Sequence, residues 1–324
     1  MPSLDNDQKL RLLEMMSSSR EGDRREGILY RQGNGWFQIA SVGHEALSAI
    51  ALNLRPDDYL FPHYRDRALV MMKGMDTRAC ARGFWGKFSS TSGGRQLPGH
   101  FSSRKDNIWS MPSPTGSNLL PACGAAWGMQ LDGLDTAVVA CVGDAGMRQG
   151  EFYEAFTLAV QMKLPVVFVI EDNRFGISTS TVDMNPLRLG VLSESYISQV
   201  DGRNAEEVYV QSEAALRKAR AGKGPTILWC ELDRLCSHSS SDDQRQYVSE
   251  DELSQMDKRD PISRLENDLI SSGVITVDHW EERKKSIVDE IAAIYDEVAQ
   301  EDDPTANDLI HEVIEEVEAK DEVV

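Results

Sequence analysis

Several features are scarce or missing in this sequence of 324 residues. It has no run of about 20 apolar residues, so we expect no membrane-spanning helix. Its first residues, MPSLDNDQKLRLLEMM, are polar and charged and lack the apolar core of a secretory signal. Its five cysteines form no Cys-x-x-Cys pair, which in a chain of this length is typical of reduced thiols. Together these features predict a cytoplasmic protein.

Basic residues are also scarce. The chain has 34 Lys and Arg against 53 Asp and Glu, which gives a net charge of −19. A nucleic-acid-binding surface needs a basic face, so this balance argues against that class of partner. The apolar content of 41% and the charged content of 27% are ordinary for a globular protein with a substantial core.

Residues 136–178 predict one strand–helix–strand unit. Residues 137–142 form a short apolar run closed by Gly143, which is typical of a buried parallel strand. Residues 150–163 place apolar side chains at helical spacing and predict the crossover helix. Residues 166–170 form a second apolar run after the proline that ends this helix. A right-handed βαβ unit is therefore expected.

Each of these strands ends at an oxygen-bearing side chain, Asp144 after the first and Asn173 after the second. Ligands of parallel α/β sheets bind at the carboxyl ends of the strands. A carboxylate and an amide on adjacent strand ends are hard oxygen donors, which suit Mg²⁺ shared with a phosphate. The alternative is that both side chains only cap turns.

The motif Gly143-Asp144-Ala145, followed by Asn173, resembles the thiamine diphosphate motif, in which GDG precedes a distant Asn. The string GDAGMRQGEFYEAF…LPVVFVIEDNRFGIS is similar to the alpha subunit of 2-oxo acid dehydrogenases, in their decarboxylating first component. The resemblance implies Mg²⁺ bound by Asp144, Asn173 and the backbone carbonyl of Phe175. The chain departs from the motif at Ala145, whose Cβ would be strained at a positive φ.

Further segments match the same family in order. Tyr64-Arg65 resembles its Tyr-Arg pair, which implies that Tyr64 reaches the pyrimidine end of the cofactor and Arg65 its diphosphate, for which a guanidinium is well suited. The segment SPTGSNLLPACGAA, which begins at Ser113, corresponds to a cofactor-side loop. The implied cofactor-binding residues are Tyr64, Arg65, Ser113, Gly143, Asp144, Ala145, Gly146, Asn173, Phe175 and His238.

The loop at residues 238–243, HSSSDD, resembles the family's H-S-x-S-D-D loop. The resemblance implies that His238 lies over the cofactor and that Asp242 and Ser241 order the loop. The family's following Tyr-Arg pair is Tyr247-Val248 here, so the loop's usual salt bridge is expected to be missing or supplied by Arg245.

His238 and His100 are the predicted catalytic residues, because an imidazole can handle protons near neutral pH. His100 ends the segment GRQLPGH, which resembles the family's GRxxPxH motif, and a structural role stays open for it. His63 is also open to either an acid–base role or a packing role.

We predict an α/β protein with the thiamine diphosphate-binding fold, in which helices flank both faces of a mostly parallel sheet and a helical extension follows. The expected segments are an N-terminal helix and arm (1–30), a cofactor- and Mg²⁺-binding domain (31–249), and C-terminal helices with an acidic tail (250–324). Further predicted elements are helices starting near 43 and at 205–221, and strands within 193–202 and 226–232.

The resemblance implies the alpha subunit of an enzyme that decarboxylates a 2-oxo acid and transfers the acyl group to a lipoyl group. No segment matches the pyrimidine-binding half of such a site, so a beta subunit is expected to supply it in a heterotetramer. The lipoyl domain of an acyltransferase and a small 2-oxo acid are the other expected partners. The strings GRQLPGH and HSSSDD favour branched-chain 2-oxo acids, as in branched-chain amino acid catabolism.

Other functions stay open at this point. The chain could be the alpha subunit of a pyruvate or acetoin dehydrogenase, or of a dihydroxyacetone-type thiamine enzyme with the same cofactor chemistry. It could also be a non-catalytic regulatory homologue, for which Ala145 and Val248 are the only hints.

Overall fold

The structure is a computed structural model that describes residues 3–308. Its strands are β1 (Tyr59–Phe61), β2 (Val138–Gly143), β3 (Val166–Asp172), β4 (Phe175–Gly176), β5 (Thr179–Ser180), β6 (Ile197–Asp201) and β7 (Thr226–Glu231). Five of them form one parallel sheet in the order β1-β2-β3-β7-β6. The remaining two, β4 and β5, form a short antiparallel pair after β3.

The α-helices of the described residues cover both faces of this sheet. They are α1 (Asn6–Arg31), α2 (Arg67–Lys73), α3 (Thr77–Trp85), α4 (Leu119–Leu131), α5 (Gly150–Met162), α6 (Ala205–Arg220), α7 (Glu250–Asp257), α8 (Pro261–Ser271) and α9 (Val277–Val298). The α/β class, the parallel central sheet and the helical C-terminal extension were predicted, and all three are confirmed.

Alternate residues of each central strand pack into different cores. Val138 and Ala140 of β2 face the core that α4 and α5 cover, where Phe152 is fully buried. Val139 and Cys141 face the opposite core, which contains Leu216 of α6 and also receives α1 and α9. Because both faces are buried, the strand is continuously apolar, and this explains the strong strand signal in the sequence.

The predicted βαβ unit is β2, α5 and β3, and its helix begins at the predicted residue. Strand β3 continues two residues beyond the predicted end, through Glu171 and Asp172. Both residues pair with β7, opposite Cys230 and Glu231. Apolar patterning could not include these acidic residues, because their burial depends on polar partners from distant segments.

The helix predicted near residue 43 differs from the structure, and the Tyr64-Arg65 pair precedes a helix. The segment starting near Gly43 forms a 3₁₀ helix, Glu45–Asn53, rather than an α-helix. Tyr64 and Arg65 lie in the turn before α2, which begins at Arg67. This turn is stabilised by Asp66, whose Oδ2 accepts a hydrogen bond of 2.8 Å from the backbone N–H of His63.

The terminal helices pack against each other. Helix α1 contacts α2, α8 and α9, and Arg67 of α2 binds Glu26 of α1 in a fully buried ion pair. No helix among residues 3–308 is long and apolar enough to cross a membrane. The acidic tail predicted at residues 312–322 lies outside the described residues, and the three-segment division stays a prediction.

The close contact between the loop at Gly43 and the end of β7 gives a stability prediction. Gly43 has φ = +102°, and a Cβ there would lie 1.9 Å from the carbonyl oxygen of Asp233. We expect Gly43→Ala to lower the free energy of unfolding by about 3 kcal/mol or more, because strain and overlap act together. Urea denaturation followed by circular dichroism measures this loss.

Gly83, inside α3, is the matched control, because a Cβ added there meets nothing within 4 Å. Gly83→Ala should leave stability unchanged or raise it by up to about 1 kcal/mol. Similar losses in both variants would contradict the proposed contact.

Candidate functional site

A cavity of about 460 Å³ opens at the carboxyl ends of β2 and β3. Its size is in the usual range of roughly 300–1,000 Å³ for small-molecule sites. The predicted site residues that line it are Tyr64, His100, Ser113, Gly143, Asp144, Ala145, Gly146, Asn173, Phe175 and His238. Residues from segments far apart in the sequence therefore converge on one space. Their individual roles stay predictions.

Asp144 is a buried carboxylate at the carboxyl end of β2. It directly follows β2, is 5% exposed, and its Oδ2 accepts a hydrogen bond from the hydroxyl of Thr181. Burial raises the pKa of Asp144 to about 7, and the nearby charge of Asp172 adds to the rise. Among residues 3–308, no lysine or arginine forms an ion pair with this carboxylate. A buried carboxylate of this kind is stable as an anion only beside a cation, so the site suits a metal ion.

Asn173 follows β3 and is held from two sides. Its Oδ1 accepts a hydrogen bond of 3.1 Å from the backbone N–H of Phe175. Its Nδ2 lies 3.3 Å from Nε2 of His44. Because a carbonyl oxygen has two lone pairs, Oδ1 keeps one for a further ligand. Asn173 and Asp144 are thus two oxygen donors on neighbouring strand ends of one cavity.

A buried acid between two histidines lies beneath the cavity. Oε2 of Glu171 is 2.8 Å from Nδ1 of His44 and 2.9 Å from Nδ1 of His63. Burial alone would raise the pKa of Glu171, but the two imidazoles outweigh this effect and hold its pKa below the ordinary value. Both rings therefore carry a proton at Nδ1, which leaves Nε2 of His44 to accept from the amide of Asn173.

The contact with Glu171 also fixes the orientation of the His63 ring. Its ring lines the cavity, and its Nε2 is buried without a hydrogen-bond partner in the described structure. Nε2 would lie 3.5 Å from a Cβ placed on Gly143. The sequence left an acid–base role and a packing role open for His63. The position of Nε2 at the cavity favours contact with a ligand over packing alone.

Ala145 is not strained. It has φ = −71° and ψ = −40°, which are ordinary helical values, so the strain expected for a positive φ does not arise. Its Cβ instead lies against Gly176, where an added Cβ would approach it to 2.6 Å. The methyl group that distinguishes Ala145 from the usual glycine is therefore accommodated by a residue without a side chain.

His238 is held as a neutral imidazole by Arg65. Arg65 is 1% exposed, and its Nη2 donates to the carbonyl of His238 at 2.9 Å and to its Nδ1 at 3.1 Å. Since Nδ1 accepts, the ring proton is on Nε2. Burial, followed by the charges of Arg65 and Arg234, lowers the pKa of His238 to about 4. Arg65 itself does not line the cavity, so it reaches the site through His238.

The loop that carries His238 is ordered by Asp242. One carboxylate oxygen of Asp242 accepts from the backbone N–H of His238 at 2.7 Å and from the hydroxyl of Tyr247. Arg234 donates to the same hydroxyl at 2.6 Å. Arg245 pairs with Asp243, so of the two alternatives left open Arg245 supplies a salt bridge within the loop. Tyr247 separately links Asp242 to Arg234.

His100 and Ser113 form a second polar pair in the cavity. Nε2 of His100 is 2.7 Å from the hydroxyl oxygen of Ser113, and Nδ1 is 3.3 Å from the carbonyl oxygen of Pro98. With Nδ1–H donating to that carbonyl, Nε2 accepts from the hydroxyl. The two side chains, predicted separately, therefore act as one unit.

Sequence patterns missed Glu171, His44 and Thr181. The acids Glu171 and Asp172, directly after the apolar run, were a usable signal, because a buried charge needs partners. The apolar wall of the cavity was also missed, and it consists of Phe37, Ile39, Leu97, Met111 and Ile177.

The chain is similar to known proteins along most of its length. The family described as "Dehydrogenase E1 component" matches residues 13–307. The chain is 31% identical to 2-oxoisovalerate dehydrogenase subunit alpha of Bacillus subtilis, over 92% of this chain and 91% of that protein. It is 30% identical to pyruvate dehydrogenase E1 component subunit alpha of Staphylococcus aureus, over 90% of this chain and 77% of that protein.

The contact between Ala145 and Gly176 gives a prediction. Gly176→Ala should lower the free energy of unfolding by about 1–3 kcal/mol, because its Cβ would overlap that of Ala145. Ala145→Gly in the same chain should restore most of the loss. Thermal unfolding of the two single variants and the double variant measures the coupling. Additive effects would show that the two residues do not meet.

Proposed function

Because this chain belongs to the dehydrogenase E1 component family, we infer that it is the alpha subunit of a thiamine diphosphate-dependent 2-oxo acid dehydrogenase. One observation in the structure supports this function most directly. Asp144 and Asn173, from the ends of neighbouring parallel strands, meet in one cavity with Tyr64, His100 and His238.

We propose that Asp144 and Asn173 bind Mg²⁺ together with the backbone carbonyl of Phe175. The donor set is two side-chain oxygens and a carbonyl oxygen, which suits a hard divalent cation. The raised pKa of Asp144 supports this proposal, since a bound cation would remove the cost of its buried charge. The amide of Asn173 is already oriented by His44 and Phe175.

The other lining residues would bind and orient the cofactor. When bound, thiamine diphosphate supplies the nucleophilic carbon and the electron sink for decarboxylation. His238 presents an N–H at Nε2 towards the cavity, because Arg65 occupies its Nδ1. His63 donates its Nδ1–H to Glu171 and presents its Nε2 to the cavity. The imidazoles of His63 and His238 therefore both face the cavity through Nε2.

His100 and Ser113 would complete the polar contacts near the substrate. The hydroxyl of Ser113 is held by His100, so this pair can accept or return a proton at Nε2 without moving the backbone. The apolar wall that contains Leu97, Met111 and Ile177 excludes water and can receive an apolar acyl group.

We propose that a beta subunit completes this site in a heterotetramer. Among the described residues that line the cavity, Asp144 is the only carboxylate, and it is assigned to the metal. The carboxylate that a thiamine diphosphate enzyme needs at the pyrimidine ring must then come from another chain. Helix α4 exposes Leu120, Trp127 and Leu131, which is an apolar face suited to a partner.

We further propose a branched-chain 2-oxo acid as the substrate, a lipoyl domain as the acyl acceptor, and a cytoplasmic location. The apolar wall and the Bacillus subtilis relative support the substrate. The Staphylococcus aureus relative, almost as similar, makes pyruvate the second candidate. Four buried free cysteines and the partly buried Cys236 suit a reducing compartment.

Substitution of Asp144 tests whether the chain takes part in decarboxylation. In the complex reconstituted with the beta subunit, Asp144→Asn should reduce decarboxylation by at least about 100-fold, because a neutral amide replaces the anionic metal ligand. Asp243→Asn, on the exposed side of the His238 loop, is the control and should retain most activity. An unchanged rate in Asp144→Asn would instead favour a non-catalytic homologue.

The chain without its beta subunit should show no turnover, and full activity would overturn the two-chain site.

Substrate profiles test the proposed specificity. We expect kcat/KM for 3-methyl-2-oxobutanoate to exceed that for pyruvate by about 10- to 200-fold, because the extra methyl groups gain contact with the apolar wall. The assay follows acyl transfer to a lipoyl acceptor. A preference for pyruvate would assign the second candidate, and turnover of acetoin without a lipoyl acceptor would assign an acetoin-type enzyme.

A further inference from the structure

A buried carboxylate outside the cavity is bound by three arginines. Asp233 is fully buried, and Arg259 binds it through two contacts, Nε to Oδ2 and Nη2 to Oδ1, each 2.8 Å long. Nη1 of Arg203 lies 3.2 Å from Oδ2, and Nη2 of Arg174 lies 2.5 Å from Oδ1. We call Asp233 and these arginines the arginine clasp. Burial alone would raise the pKa of Asp233, but the arginines hold it below its ordinary value.

The clasp reaches the proposed metal site through Arg174. This residue lies between Asn173 and Phe175, which supply two of the proposed Mg²⁺ ligands. Arg174 has φ = +68°, the left-handed region that side chains other than glycine rarely adopt. Its backbone N–H donates to Oδ1 of Asp172 at 3.1 Å, and its carbonyl accepts from Thr181 at 3.0 Å.

The clasp also connects this turn to the C-terminal helices. Glu252 of α7 lies 3.1 Å from Nη2 of Arg174 and 3.2 Å from Nη2 of Arg259. Arg259 itself follows α7. Because Asp233 is buried, its ion pairs are screened by solvent much less than surface pairs are.

We propose that Asp233 is a positioning residue for the metal site: it holds the guanidinium of Arg174 and thereby keeps the backbone turn that aims Asn173 and the carbonyl of Phe175 at the cation. This inference rests on the proposed Mg²⁺ site. Neither Asp233 nor Arg174 lines the cavity, so both act only through the turn. The helical extension, through Glu252 and Arg259, then contributes to metal binding from outside the sheet.

Two substitutions of Arg174 separate this role from a simple ion pair. Arg174→Gln removes the guanidinium and keeps a side chain in the disfavoured conformation. Arg174→Gly removes the same charge, but glycine adopts a positive φ without strain. Both variants change the charge near the metal equally, and the side chain of Arg174 is one-third exposed, so both should fold.

The measurement is the Mg²⁺ concentration for half-maximal binding of thiamine diphosphate by the reconstituted alpha–beta complex, determined by isothermal titration calorimetry. Arg174→Gln should raise this concentration by about 10- to 100-fold, the usual effect of losing a residue that orients a metal ligand. Arg174→Gly should raise it clearly less. Equal values for wild type and Arg174→Gln, or a larger effect of glycine than of glutamine, would overturn the proposal.

Asp233→Asn should resemble Arg174→Gln, and in the Arg174→Gly background it should have little further effect on the Mg²⁺ requirement. Asp58→Asn is the matched control. Asp58 is equally buried and is bound by Arg220, but it precedes β1 at the other end of the sheet. It should lose stability and keep the wild-type Mg²⁺ requirement. An increased requirement in Asp58→Asn would assign the effect to general destabilisation.

The Mg²⁺ dependence of the wild-type complex distinguishes a failure of the clasp proposal from a failure of the metal-site proposal. If its cofactor binding depends on Mg²⁺ and Arg174→Gln binds equally well, only the role of the clasp is wrong. If wild-type binding does not depend on a divalent cation at all, the proposed metal site fails, and the clasp proposal fails with it.

Discussion

A carboxylate removed from water is the constraint on which this site depends. Asp144 is placed there by the sheet, because β2 and β3 pair along six residues, from Val138 opposite Val166 to Gly143 opposite Glu171. This register brings Asp144 and Asn173 to one edge of the sheet. A shift of one residue would turn alternate side chains to the opposite face and separate the two oxygen donors. The geometry of the proposed metal site is therefore a consequence of strand pairing, and loop residues only refine it.

The charges around the cavity are arranged by sign. Asp144 and Glu171 lie on the side of the strand ends, and Arg65 and Arg234 lie on the side of the His238 loop. Such an arrangement is complementary to a metal ion bound to an anionic group. It also orients the two histidines, since Glu171 holds Nδ1 of His63 whereas Arg65 holds Nδ1 of His238. Both imidazoles are thus fixed through Nδ1 and turn Nε2 towards the same space.

The proposed assembly would complete the cavity. Among the described residues that line it, Asp144 is the only carboxylate and binds the metal in our proposal, and the apolar side chains of Leu97 and Ile177 are half exposed. Exposed apolar residues continue on α4, whose small residues Gly124 and Gly128 would let another helix approach closely. A second chain would cover these surfaces and supply the missing acid, so stability and catalysis would depend on the same association.

Local patterns in the sequence determined β2, α5 and β3 almost to the residue, and they placed Asp144 and Asn173 at the strand ends, because apolar periodicity and glycine positions act over short distances. The tertiary structure alone decided the partners of the buried polar groups. Glu171 binds His63 and His44, which are 108 and 127 residues away. The φ of Ala145 and the link that Tyr247 makes between Asp242 and Arg234 were equally invisible, because each depends on which segment packs against it. A short pattern specifies how a segment folds, whereas the protonation, orientation and charge balance of a buried side chain are set by neighbours that only the complete fold brings together.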